Sequence, residues 1–228
     1  MHKTPTAIAR NPGNVCPRRK PLGRRVNDFI NGQAANPRGL FADLLAAIWR
    51  RDHAAINGTT IDLLDLTSGM SAVDVGCGPG DALREIARRG CRALGLDVSQ
   101  RMVEIARRSH MAGVLAGSID VRRISDGDLG LSPLSIDRAM SVHSIYFWRT
   151  PERVFADLAA ALKPGGRLVL AFTPEGPDVP ARLRTAAYRF YSEQEIERFF
   201  SGAGFVNVHT ARAPDISPSV AWVVGDKP

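Results

Sequence analysis

From Val73 onward the chain alternates short apolar runs with longer segments whose apolar residues recur every three or four positions. Val73–Val75, Ala93–Leu96, Ile119–Ile124, Ile136–Val142 and Leu168–Phe172 are short and almost continuously apolar, which predicts strands buried on both faces. Between them the 3.6-residue period predicts helices over about 80–89, 99–109 and 151–162. Thr150 before Pro151 places an N-cap ahead of a favoured first helical residue. Ser192-Glu193-Gln194-Glu195 has the form of a capping box for a helix reaching about Ser201. Phe205–Thr210 and Val220–Val224 bring the predicted strands to seven. Ahead of all this, Leu40, Phe41, Leu44, Leu45, Ile48 and Trp49 share one helical face, and a second helical pattern runs from Ala54 to Leu66. It closes at Thr67-Ser68-Gly69.

Strands joined by helices imply right-handed crossovers and a mainly parallel sheet covered on both faces. Ligands of such α/β sheets lie outside the carboxyl ends of the strands, at the point where strand order reverses. With 228 residues, one domain of ordinary size is expected. Residues 1–27 are polar and rich in Pro and Gly, and read as a disordered basic leader. Residues 28–228 form the domain, with 28–70 as an N-terminal helical lid and 71–228 as the core.

Charge changes this picture little. The formal excess is +7, and Lys3, Arg10, Arg18, Arg19, Lys20, Arg24 and Arg25 all precede the first acid, Asp28. Those seven account for the whole excess, so the domain itself is neutral and carries no strong nucleic-acid signal. Most of the basic residues are Arg, a bias that goes with a GC-rich bacterial genome. Cys16, Cys77 and Cys91 have neither metal spacing nor an even disulfide framework, which suits a reducing cytoplasm and predicts no metal. No apolar run near the N-terminus has the length of a signal peptide or membrane span.

The chemistry concentrates at Val73-Asp74-Val75-Gly76-Cys77-Gly78-Pro79-Gly80, a strand, a glycine turn and a helix start. Asp97, 21 residues beyond Gly76, ends the next apolar run, where a carboxylate can meet a ribose diol. A dinucleotide site would place its third glycine one position later. Here Gly80 comes early, and Asp81 stands at the helix N-terminus, where it would repel a pyrophosphate. Asp74 adds a second negative group. A ligand with an ammonium, a sulfonium and a ribose diol but no phosphate, S-adenosylmethionine, fits these charges better than NAD.

At this point the chain resembles the class I S-adenosylmethionine-dependent methyltransferases of the small-molecule type. Asp74-x-Gly76-x-Gly78-x-Gly80 is similar to that family's first motif and Leu94-Gly95-Leu96-Asp97-Val98-Ser99 to its second. Leu162-Lys163-Pro164-Gly165-Gly166-Arg167-Leu168 resembles the turn before its fifth strand, and Tyr191-Ser192 through Ala203-Gly204-Phe205 its last helix. The resemblance runs from about Asn36 to the C-terminus. It implies a Rossmann-like, seven-stranded, mainly parallel sheet with helices on both faces and the last strand antiparallel. It also implies a cofactor held by Asp74, Gly76, Cys77, Gly78, Gly80 and Asp97, with Val98 and Met102 flanking the adenine and Ser141 beside the methyl site. Asp97 has a second reading as a helix cap. At the adenine edge the family carries Gly-Asp-Ala, whereas this chain has Ile124-Ser125-Asp126. Asp126 or Ser125 would take that place, with Asp128 farther off; the alternative is a solvated turn.

Residues leaving the fourth strand border the transferable methyl in the family, which makes His143 the candidate general base. Its other reading is a hydrogen-bonding residue that positions cofactor or backbone. Tyr146 and Trp148 are candidate walls of an acceptor pocket, with core packing as the alternative. Trp49, Arg50, His53 and Asn57 on the leading helices, and the long connection 173–190 with Arg182, Arg184, Tyr188 and Phe190, could cover an acceptor. The expected partner is a small-molecule methyl acceptor, without nucleic acid or membrane, and a homodimer is left open. Macromolecular methylation is the alternative activity, though the chain lacks the Asn/Asp-Pro-Pro-aromatic tetrad and the Pro-Cys nucleophile of nucleic-acid enzymes. A cofactor-binding partner without catalysis is the third reading.

Overall fold

A computed structural model describes residues 53–125 and 127–228. The expected leader, the helical face over 40–49 with Trp49, and Asp126 lie outside the described residues. The seven predicted strands are present: β1 Ser71–Val75, β2 Arg92–Asp97, β3 Ile119–Arg123, β4 Ile136–Val142, β5 Leu162–Phe172, β6 Val206–Arg212 and β7 Ala221–Asp226. They form one sheet in the order β3-β2-β1-β4-β5-β7-β6, in which β7 alone runs against its neighbours. Strand order reverses between β1 and β4, so the first glycine turn leaves the sheet at the switch point.

Helices cover both faces because each strand alternates its side chains between two cores. One core joins Ala72, Ala93 and Val224 to a first described helix, α1, over residues 53–63, and to α2 (Asp81–Arg88) and α3 (Gln100–Ser109). The other joins Val73, Val75 and Leu170 to α5 (Pro151–Ala161) and α6 (Glu193–Gly202). A five-residue helix, α4 (Met111–Leu115), lies between α3 and β3; the sequence pattern did not announce it.

α1 is anchored firmly. Ile56, Ile61 and Leu64 are buried, Trp222 Nε1 donates to Thr60 Oγ1 at 2.9 Å, and Arg138 donates to the Leu64 carbonyl at 2.6 Å. The described part of the expected lid is thus a core helix fastened to β7 and β4, and its His53 reaches His143 at the sheet's functional edge. The predicted capping box on α6 is formed, with Ser192 accepting from Glu195 N–H and Glu195 accepting from Ser192 N–H. Thr150 stands at the N-cap of α5 but makes no side-chain cap bond. The expected turn before the fifth strand is a bulged entry to β5, with pairing stepping from Ile136–Leu162 to Arg138–Arg167. Gly165 supplies the positive φ of 73° needed there.

Candidate active site

The three motif glycines are required for three different reasons. At Gly76 a Cβ would lie 2.4 Å from Ser144 Cβ, so the missing side chain makes room for the chain itself. At Gly78 (φ 51°) a Cβ would meet nothing within 4 Å, which leaves that side of the turn open to a ligand. Gly80 caps α2 in the left-handed region at φ 83°, with Ala106, His110 and Leu83 close behind it. Gly76 N–H and Cys77 N–H both donate to the Leu96 carbonyl, at 2.7 and 3.1 Å, which fastens the turn to the end of β2. Cys77 is buried beside Gly95, and burial together with the nearby Asp97 and Asp74 raises its thiol pKa, so it stays a neutral packing group.

Two buried carboxylates flank this turn. Asp97 accepts Gly78 N–H through Oδ2 and Ser99 N–H through Oδ1, both at 2.8 Å. Burial raises its pKa and those two bonds oppose the rise. The cap of α3 is Ser99, whose hydroxyl accepts from Met102 N–H at 3.3 Å. Asp97 therefore braces the glycine turn against the start of α3, a link its spacing alone did not disclose. Asp74 is 4 % exposed, and burial, then the Asp97 charge, push its pKa up to about 7. No hydrogen bond or cation among the described residues offsets that rise. A carboxylate so placed gains most from a bound cation.

The other wall of the site is built where β4 ends. Ser141 and Ser144 both donate to the Val75 carbonyl, at 2.9 and 3.0 Å, and their hydroxyls contact each other. Ser141 thus fixes the β1–β4 seam with its side chain. His143 follows with φ 53°, its N–H donating to the Ala171 carbonyl at 2.9 Å. Such a φ is costly for a residue with a Cβ and persists where the surroundings fix it. His143 Nδ1 is 2.9 Å from Tyr146 Oη, and Tyr146 Oη accepts Thr173 N–H at 2.6 Å. The His53 ring lies against His143 with centroids 4.9 Å apart. Burial, then the His53 charge, lower the His143 pKa to about 3, so its environment is far from that of a free imidazole.

Tyr146 is also the post around which the long connection after β5 folds. Its carbonyl accepts Arg189 N–H at 3.0 Å, and its ring packs at 5.0 Å from Phe190 and 6.0 Å from Tyr188. Phe147 meets Tyr188 at 4.9 Å. Arg184 donates to the Gly176 carbonyl within the same segment. Trp148 turns toward the core, edge-on to Phe155 at 5.8 Å. On the opposite side of the glycine turn, Ile124 N–H donates to the Asp97 carbonyl at 3.0 Å, which brings the Ser125–Asp128 turn next to Asp97 and Val98. Ser125 and Asp128 are exposed there, and Gly127 has φ 81°.

A seven-stranded sheet of this order with one reversed strand, a glycine turn after β1 and an acid closing β2 define the class I S-adenosylmethionine-dependent methyltransferase fold. Residues 73–170 match the methyltransferase domain family, a stretch that holds the glycine turn, Asp97 and His143 and is a little under half of the chain. It is 30% identical over 154 residues to the demethylmenaquinone methyltransferase of Tropheryma whipplei, covering 67% of this chain and 57% of that protein. It is 27% identical over 168 residues to the uncharacterized methyltransferase YdaC of Bacillus subtilis, covering 71% of this chain and 85% of the other. The chain thus spans little more than half the length of the Tropheryma relative. An S-adenosylmethionine-dependent methyltransferase from Aquifex aeolicus superimposes with a TM-score of 0.66 at 18% identity, over 82% of this chain and 97% of the other. The [4+2]-cyclase SpnF does so with a TM-score of 0.64 at 19% identity, over 76% and 80%. At such identities these structures establish the fold.

Proposed function

We propose that the protein transfers a methyl group from S-adenosylmethionine to an oxygen, nitrogen or carbon nucleophile of a small molecule. The observation that carries this reading is the pair of buried carboxylates around an open glycine turn. Asp74, with no described cation beside it, suits an ammonium, and Asp97 suits a diol, whereas a pyrophosphate would meet two acids and Asp81. The Gly76–Gly80 turn would hold the amino-acid portion by its backbone, with Cys77 and Ser141 as the packing and seam behind it. Val98, Met102 and the turn containing Ser125 and Asp126 would border the adenine.

When bound, S-adenosylmethionine supplies an electrophilic methyl carbon whose bonding pair departs on sulfur. What the chain contributes is alignment, exclusion of water and placement of the acceptor's proton. His143, neutral and hydrogen-bonded through Nδ1, serves as a positioning residue, because an imidazole held near pKa 3 is a weak base at neutral pH. Tyr146 sets its orientation. Trp148, packed on Phe155, shapes the acceptor wall from behind rather than by direct contact.

A small-molecule acceptor is supported by relatives described as demethylmenaquinone methyltransferase and as O-methyltransferases. Catalysis has to be tested apart from binding, since SpnF shows that this fold also serves a cyclase. A reducing, cytoplasmic setting belongs to the same proposal, supported by the unbridged thiols of Cys77 and Cys91. Metabolite profiling with a labelled methyl donor tests the function. Label appearing in a small molecule is expected, and cofactor binding with no labelled product from any extract would leave a binding protein without catalysis.

A further inference from the structure

Resting on the reading of the β4 edge as the acceptor side, we infer that Arg138 is a positioning residue for that side. At the far end of the sheet it holds the last turn of α1, and through the helix it sets where His53 meets His143. A helix and a strand of matched length are pinned to each other at both ends. From His53 to Leu63, α1 advances ten residues (63 minus 53), about 15 Å of helix. From Arg138 to His143 the chain of β4 advances five (143 minus 138), about 16 Å of extended backbone. At one end the His53 and His143 rings lie with centroids 4.9 Å apart. At the other, Arg138 Nε donates to the Leu64 carbonyl at 2.6 Å.

A helix leaves its last carbonyls without partners, and α1 ends without the usual glycine. The chain turns out of it through Asp65 at φ 52°. Arginines from elsewhere in the fold take those carbonyls instead. Arg138 also donates through Nη2 to Asp65 at 3.4 Å, while its Nη1 holds the Asp137 and Gly165 carbonyls at 2.9 and 3.3 Å. Arg167 of β5 reaches the Leu63 carbonyl at 3.3 Å. Arg89, just past α2, reaches the Ile61 carbonyl at 3.5 Å and pairs with Asp62 at 2.5 Å. Arg138 and Arg167 are register partners on neighbouring strands, and like charges side by side on one sheet face are unfavourable unless something negative faces them. Arg167 has Asp226 at 2.8 Å. Asp137 is committed to Lys163 and Ser71, and among the described residues Arg138 bonds only to backbone carbonyls. What answers the Arg138 charge is therefore the negative end of the α1 dipole.

Between its two ends α1 rests on the sheet through buried Ile56 and Ile61 and through the bond from Trp222 to Thr60. Apolar contact is non-directional and lets a helix slide along its axis or turn about it. A planar guanidinium fork on the last turn opposes both motions, because its hydrogen bonds have fixed directions. A packed helix is rigid over this length, so a displacement of Leu64 is carried to His53. The glycine turn and Asp97 are fastened instead to the end of β2 and the start of α3, which leaves the cofactor side outside this linkage.

Histidine ring NMR on the full-length protein without cofactor tests the linkage. His53→Asn and His143→Asn assign the two rings, and the His143 signals in His53→Asn mark the effect of losing the neighbouring ring. In Arg138→Ala the His143 signals should move toward those marked positions, although Arg138 is about 16 Å of strand away. Arg138→Lys, which keeps the charge but not the fork, should move them less. A role confined to stability would lower the urea midpoint and leave the His143 signals of the folded protein in place, and that result overturns the proposal. If Arg138→Ala does not fold, Arg138→Lys is read by the same rule. Calorimetry with S-adenosylmethionine is the second arm, and Arg138→Ala should bind it within about twofold of the parent, as expected for a distant independent site. A much larger loss would put α1 on the cofactor side and overturn the assignment. Transfer of labelled methyl into a total small-molecule extract should fall by up to about 10²-fold, the cost of a misplacement of about 1 Å. An undiminished rate beside shifted His143 signals overturns the role in the reaction. A parent that binds no S-adenosylmethionine refutes the site reading instead, while the NMR result still stands or falls on its own.

Discussion

The two halves of the site are built by different means. At the ends of β1 and β2 the backbone does most of the holding: a glycine turn, two N–H groups on the Leu96 carbonyl, and Asp97 bracing Gly78 and Ser99. Everything there lies within 27 residues of sequence, from Val73 to Ser99. At the ends of β4 and β5 the holding is done by side chains brought from far apart, His53, His143, Tyr146 and the backbone of Thr173. The first half presents two buried carboxyl groups and open backbone, suited to one ligand of constant chemistry. The second presents aromatic and imidazole rings gathered from α1, the turn after β4 and the long connection after β5, suited to an acceptor that varies from enzyme to enzyme.

The sharpest way to break this comparison is inside the glycine turn. Gly76→Ala forces a Cβ into Ser144 at positive φ and should cost about 2–5 kcal/mol of stability, from overpacking and left-handed strain together. Gly78→Ala, with open space around its Cβ, should cost only about 1–2 kcal/mol while weakening S-adenosylmethionine binding markedly. Urea unfolding and calorimetry separate the two. Equal stability losses would show that neither glycine is spared for a ligand.

Asp97→Ala comes next, with cofactor affinity falling by roughly 2–4 kcal/mol as charge-assisted bonds are lost. Spacing alone suggests that folding would be untouched. The structure changes that expectation, because Gly78 N–H and Ser99 N–H would lose their acceptor, at a cost of about 1–3 kcal/mol. Affinity within twofold of the parent would make Asp97 a brace and nothing more.

That revision shows what the sequence could carry. The seven strands, the mainly parallel sheet and the Asp74–Asp97 constellation were legible, because each depends on local periodicity or on spacing within one βαβ unit. The use of Gly76 against Ser144 was not, since the two meet only once β4 lies beside β1. The sequence offered His53 only as a candidate cover for an acceptor, and its contact with His143, which spans 90 positions, was not legible there. The low pKa of His143 was invisible for the same reason: burial is a property of the packed edge, not of the tripeptide around it.

Asp74 sharpens the comparison through pH. Its carboxyl rises from 3.8 to about 7 in the folded protein, so its ionisation costs stability progressively as pH climbs through that window. A bound ammonium favours the ionised form. Cofactor affinity should therefore fall by up to about tenfold for each unit of pH below 7, and Asp74→Asn should flatten the profile. A parent affinity constant from pH 5 to 8 would remove Asp74 from cation binding. The smallest effect belongs to Arg184→Ala, whose exposed side chain only reaches the Gly176 carbonyl. Stability should move by less than about 0.5 kcal/mol and turnover by no more than a few-fold; a larger loss would place Arg184 on the acceptor.

The central claim, that the open glycine turn between two buried acids is a site for S-adenosylmethionine and not for a dinucleotide, is tested most directly by calorimetry. Titrating S-adenosylmethionine and NADH separately, near pH 7 and in buffers of different ionisation enthalpy, should show binding of the first alone. That binding should release part of a proton as Asp74 ionises. Binding of NADH with no binding of S-adenosylmethionine would contradict the account.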